Sequence, residues 1–150
     1  MEGFIVGEGI SKLKTIDGVL FSRDGKILYA FPCGRDYDTY IVPDGVEVIG
    51  EGAFAGCTHL HRIILPEGLT EIGENALGGC ESLEEVVLPK ELHTIGTEAF
   101  RYCMNLRRIE IPKKTTFWTY EEGDYSSLFG ADESWLAAQG LTYDIEVIRV

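Results

Sequence analysis

A chain of 150 residues, 45% of them hydrophobic, is long enough to bury a core and too apolar to be disordered throughout; one domain over 1–150 is expected. Twenty-five acidic against thirteen basic side chains leave a net charge of −12. That balance argues against nucleic acid, whose binding needs Lys and Arg to displace counterions from phosphates. No apolar run approaches the roughly 20 residues that span a bilayer, so no membrane insertion is expected.

The first residues, MEGFIVGEGISKLK, lack the basic start and apolar stretch of a signal peptide. Either the protein stays in the cytoplasm, or a leader has been removed and the chain is secreted or held at the cell surface. Residues 3–6 mimic a short strand. In VLFSRDGKILYAF, Asp24-Gly25 sits between two apolar runs, which predicts a β-hairpin. Residues 1–40 therefore read as an N-terminal repeat carrying an inserted hairpin, which caps one end of the core.

Three segments then repeat at a period of 23: IVPDGVEVIGEGAFAGCTHLHRI (41–63), ILPEGLTEIGENALGGCESLEEV (64–86) and VLPKELHTIGTEAFRYCMNLRRI (87–109). Stacking them aligns six apolar columns, for instance Ile49, Ile72 and Ile95, or Leu60, Leu83 and Leu106. Ladders of core side chains between stacked units have this form, and a period of 20 to 29 is that of a leucine-rich solenoid. Pro43, Pro66, Pro89 and Pro112 recur in phase and end short strands, since proline cannot donate to a ladder. Gly45 and Gly68 suit a turn with positive φ, and Glu91 breaks that column. GEGAFAGC, GENALGGC and GTEAFRYC read as single helical turns, too short to stand alone.

Beyond Pro112 the phase is lost. Asp132 is placed to cap a short helix, ESWLAAQ, stopped by Gly140, and IEVIRV (145–150) alternates as a terminal strand does. Residues 110–150 read as a closing cap of helix and strand.

The motif Pro-x-Gly-(Val/Leu)-x-x-Ile-Gly-x-x-Ala-Phe-x-x-Cys-x-x-Leu-x-x-Ile-x-(Leu/Ile)-Pro, running over 43–112 with Leu77 in place of one Phe, resembles the BspA-like leucine-rich repeat family. DGVLFSRDGKIL (17–28) and ESWLAAQGLTYDIEVI (133–148) are similar to that family's hairpin-bearing unit and closing segment. The resemblance implies an α/β solenoid, a short right-handed leucine-rich repeat stack. It also implies kinship with bacterial surface proteins that bind other proteins.

Candidate chemistry is sparse. Cys57, Cys80 and Cys103 recur at an apolar phase and read as reduced, buried packing residues; Cys33, outside the ladder, is the better candidate for a reactive thiol. No Cys or His pair has zinc-ligand spacing, so neither metal nor cofactor is expected. Gly50, Gly52 and Gly56 match neither phosphate-loop fingerprint, and the positions of His59, His61 and His93 read as solvent-facing. Nucleophile elbows and His-Glu-x-x-His are absent, so no enzyme is expected. Glu121, Glu122 and Asp124 among Trp118, Tyr120 and Tyr125 read either as a solvated loop or as a binding edge.

What remains is a surface. If Ile63 and Leu65 point inward, alternation turns two columns outward: Thr39, Arg62, Glu85, Arg108 and Ile41, Ile64, Val87, Glu110. Glu85 would lie between two arginines. The apolar row is explained equally by strand propensity and by a contact site. Five short strands make a face of roughly 350 Å², below the ~800 Å² per partner of a standard interface. The expected function is a non-enzymatic protein-interaction module, whose partner is another protein or a second copy of the chain. An intracellular acidic binding or immunity-like protein, or a spacer fragment of a longer repeat protein, are the alternatives.

Overall fold

The computed structural model describes residues 3–7, 9, 12–117, 125–130 and 145–150. Three strands come first, β1 (Leu13–Ile16), β2 (Val19–Ser22) and β3 (Ile27–Ala30). The stack then alternates between two sides through β4 (Thr39–Ile41), β5 (Val48–Ile49), β6 (Arg62–Ile64), β7 (Glu71–Ile72), β8 (Glu85–Val87) and β9 (Thr94–Ile95). β10 (Arg108–Ile111), the four-residue helix α1 (Ser126–Phe129) and β11 (Glu146–Arg149) follow.

The result is a β-solenoid. On one side β4, β6 and β8 run parallel, with Thr39, Arg62 and Glu85 in register and Ile41, Ile64 and Val87 likewise. On the other, β3, β5, β7 and β9 form a parallel ladder to which β2 and β1 add as antiparallel strands. Between the sides the six predicted columns fill a continuous core. Val46, Leu69 and Leu92, for example, are fully buried, as are Phe54, Leu77 and Phe100. The apolar columns at a 23-residue period are thus rungs of one ladder, and each turn buries its apolar side against its neighbours.

The helical share of the expected α/β solenoid is almost absent. GEGAFAGC and its two counterparts are turns, and α1 is the described helix. Backbone bonds link these turns from repeat to repeat: Phe31 N–H to Ala53 O (2.8 Å), Phe54 to Ala76 (2.8 Å) and Leu77 to Ala99 (2.9 Å). Phe100 N–H then donates to Leu128 O at 2.9 Å, so α1 takes the place of the next turn. Backbone donors satisfied by the adjacent turn leave little reason for an internal helix. The predicted helix over 133–139 lies outside the described residues, whereas β11 falls within the predicted 145–150 strand.

The N-terminal part differs from expectation. Residues 3–6 form no strand; Phe4 N–H merely donates to Gly18 O. The N-terminal repeat is instead a truncated one supplied by β3 and β4, with Leu28 paired to Ile49, and Phe31 and Tyr40 each 23 residues before Phe54 and Ile63. The Asp24-Gly25 hairpin joins β2 to β3 as predicted. A second turn, Asp17-Gly18, with φ of 51° and 79°, joins β1 to β2, and these positive angles suit the primed turns of tight hairpins.

The glycine columns also sort themselves physically. Gly45 has φ of 93°, but Gly68 and Glu91 lie outside the left-handed region, so Glu91 imposes no strain. Gly73 has a different reason. A Cβ there would stand 2.8 Å from the Glu51 amide nitrogen, because adjacent turns pass backbone against backbone.

Candidate protein-interaction face

The outward residues of β4, β6 and β8 build one face. Alternation holds: Ile63 and Val86 are buried and Leu65 half-buried, while Ile41, Ile64 and Val87 are 65%, 41% and 66% exposed. The in-register pairing lines these three into an apolar row beside Thr39, Arg62 and Glu85. Arg62 reaches Glu85 at 3.5 Å across the strands.

Arg108 and Glu110 depart from the expected columns. β10 lies beside β8 but bonds to β11, with Arg108 opposite Glu146 and Glu110 opposite Ile148. Arg108 turns to Glu110 at 2.6 Å and to Glu146 at 3.9 Å, so Glu85 has one arginine partner rather than two. The physical reason is the closing strand: β10 pairs with β11 and not with β8, so Arg108 faces Glu146 across that pair and a seam is left between β8 and β10.

Two hollows open on this face. The first, about 490 Å³, is lined by Asp38, Thr39, His61, Arg62, Glu84 and Glu85. The second, about 450 Å³, follows the seam, with Val87, Leu88 and Val150 as its apolar part and Lys90, Arg107 and Arg108 among its polar residues. The neighbouring column Asp38, His61, Glu84 and Arg107 therefore belongs to the face. Sequence reasoning read His61 and its repeat counterparts Glu84 and Arg107 as solvent-facing and left them out of the binding set, though with Asp38 they share one phase of the repeat. His61 Nδ1 lies 3.1 Å from Asp38, and His59 Nε2 lies 3.9 Å from Asp36; all four side chains are exposed.

The cysteines are corrected. Cys33 is no free thiol, nor is Cys57 reduced: the two form a disulfide, with Cα atoms 4.5 Å apart. In-column neighbours point in parallel, but Cys33 stands 24 residues before Cys57, one step off the period, so its side chain converges. Cys80 and Cys103 are free and buried as expected, and each thiol donates to a carbonyl of the preceding repeat, Phe54 O and Leu77 O, at 3.2 Å. Burial pushes the Cys80 thiol up to about 12 and raises that of Cys103 as well. These are poor nucleophiles.

Among the described residues, no group of three His, Cys, Asp or Glu is placed to hold a metal ion, and no helix is long and apolar enough to cross a membrane. The acidic–aromatic stretch lies outside the described residues apart from Tyr125, whose ring packs 5.7 Å from that of Phe117.

No curated protein matches the sequence. Among solved structures, the chain is similar to the pneumococcal vaccine antigen PcpA, with a TM-score of 0.71 and 20% identity over 99% of this chain and 50% of that one. It is similar also to a leucine-rich repeat protein from Eubacterium ventriosum (TM-score 0.68, 22% identity, 80% of this chain and 31% of that one). Another from Bacteroides capillosus gives a TM-score of 0.71 at 21% identity, over 93% of this chain and 99% of that one. The chain thus spans half or less of the length of the first two structures. These likenesses concern the fold. The pattern described as BspA type leucine rich repeat region matches residues 28–122 in six copies, and the chain belongs to this family of leucine-rich repeat proteins.

Proposed function

We propose that the chain is a non-enzymatic protein-interaction module that binds through the face formed by β4, β6 and β8 and the adjoining edge of β10. The observation that carries this reading is the row Ile41, Ile64 and Val87, in register on adjacent strands and exposed, beside the charged Arg62 and Glu85. A contiguous apolar row bordered by charges has the make-up of a contact site, whereas scattered apolar residues need no explanation. Thr39, Arg108 and Glu110 complete the proposed binding set. The Cys33–Cys57 disulfide favours an oxidising compartment, hence a secreted or surface-held, adhesion-type protein over an intracellular one.

The double substitution Ile64→Ser and Val87→Ser tests the face. Both side chains are exposed, so unfolding free energy should stay within about 1 kcal/mol of wild type. Association with a protein partner, or with a second copy, should weaken by more than about tenfold, as loss of a central apolar contact does. Unaltered binding by the folded variant removes the reading.

A further inference from the structure

We propose that this face docks on the same face of a second copy of the chain, about a two-fold axis that runs along the strands between β6 and β8. The inference rests on the reading of the face as a contact surface, and it names the partner. Two observations carry it. Charge is segregated along the stack: residues 41–86 hold nine acidic side chains and one basic, of which Glu84, Glu85 and Arg62 line the face, whereas 87–109 hold two acidic and four basic, of which Lys90, Arg107 and Arg108 line it. The same polarity appears in the hollows. The first sets Asp38, Glu84 and Glu85 against Arg62; the second shares Glu84 and Glu85 but adds Lys90, Arg107 and Arg108 against Glu110.

A two-fold axis along the strands preserves position along each strand and reverses the order of strands. β6 then lies over β8 of the second copy, and β4 over β10. Arg62 meets Glu85, Ile64 meets Val87, His61 meets Glu84 and Asp38 meets Arg107, each contact occurring twice. Ile41 falls opposite Glu110, whose charge Arg108 already engages at 2.6 Å. The other two-fold, along the stacking direction, lays the charged column on the apolar one and is disfavoured. In its own chain Arg107 donates to the Met104 carbonyl, and among the described residues it has no carboxylate partner. With β4, β6 and β8 of three residues each and β10 of four, the strand face is roughly 200 Å², so the dimer is weak and concentration-dependent, held also by the flanking loops.

Charge exchange gives a decisive test by sedimentation velocity over two decades of protein concentration. Wild type should pass from monomer to dimer. Asp38→Arg places two arginines together and Arg107→Glu two carboxylates, so each variant alone should associate more than about tenfold more weakly. Mixed in equal amounts, the two variants restore opposite charges at both contacts and should dimerise again. A monomeric wild type, single variants that dimerise like wild type, or a mixture that stays monomeric each overturn the proposal. Circular dichroism checks that the variants fold; if either does not, Asp38→Asn and Arg107→Gln replace them, and unchanged association then overturns it. A monomeric wild type whose face still captures another protein leaves the interaction-module reading intact. A dimer indifferent both to these changes and to Ile64→Ser with Val87→Ser removes both.

Discussion

Cys33 and Cys57 are bonded across the boundary between the truncated first repeat and the first full one, their Cα atoms 4.5 Å apart. The bond ties the segment that follows the meander β1–β2–β3 to the stack. It does so where Phe31 also packs on Phe54, with ring centroids 5.0 Å apart. An end turn of a solenoid has one neighbour instead of two, so a covalent link there resists fraying from that end.

Reduction should therefore lower the unfolding free energy by ~3 kcal/mol, the value for a loop of this length in the chain-entropy account. Urea titrations with and without a phosphine reductant measure it. Alkylation in denaturant should label two cysteines before reduction and four after it. Four labels without reductant would contradict the bond.

The remaining thiols make stability fall at alkaline pH. Their folded pKa values are raised by burial, so the unfolded chain releases protons near the ordinary value of 9.0 while the folded chain keeps them. Fewer protons on the unfolded state mean that stability is flat below that value and declines above it, by up to about 1.4 kcal/mol per pH unit for each thiol. Urea midpoints compared at about pH 8 and about pH 10.5 should drop more for wild type than for Cys80→Ala with Cys103→Ala. Equal drops would show that lysines and tyrosines account for the whole decline.

Two glycines five residues apart in the same repeat should respond oppositely to alanine. A Cβ at Gly73 meets the backbone of residues 49–51, within 2.8–3.0 Å, whereas one at Gly68 meets no atom within 4 Å. Gly73→Ala should destabilise by ~1–3 kcal/mol, as overpacking does. Gly68→Ala should be neutral or stabilise by up to ~1 kcal/mol through the unfolded chain. Thermal melts of the pair decide, and a tolerant Gly73 would mean that the turns are less tightly stacked.

Leu83, fully buried midway along its column, is the most demanding rung to lose. Leu83→Ala should cost ~2–5 kcal/mol, a large share of the ~5–15 kcal/mol available to a domain. A change below 1 kcal/mol in urea unfolding would place that column outside the core.

The repeated part of the molecule was legible because each core position is declared three times. A residue such as Ile63 is apolar at a phase where Val86 and Ile109 are also apolar, and alternation about it turns Ile64 and Arg62 outward. The truncated repeat could have been found by running the columns backward, since Phe31 and Tyr40 stand 23 residues before Phe54 and Ile63. Asp17-Gly18 carried the same turn signal as Asp24-Gly25.

By itself, then, the sequence determined the period, the identity of the rungs and which side chains of β6 and β8 face outward, because nearest-neighbour stacking of like units translates phase directly into position. Tertiary structure decided what happens where the period ends. The partner of Cys33, the turn of Arg108 away from Glu85 and toward Glu110 and Glu146, and the seam between β8 and β10 all arise at the caps. There each contact joins segments with no common phase, and only the packed chain brings them together.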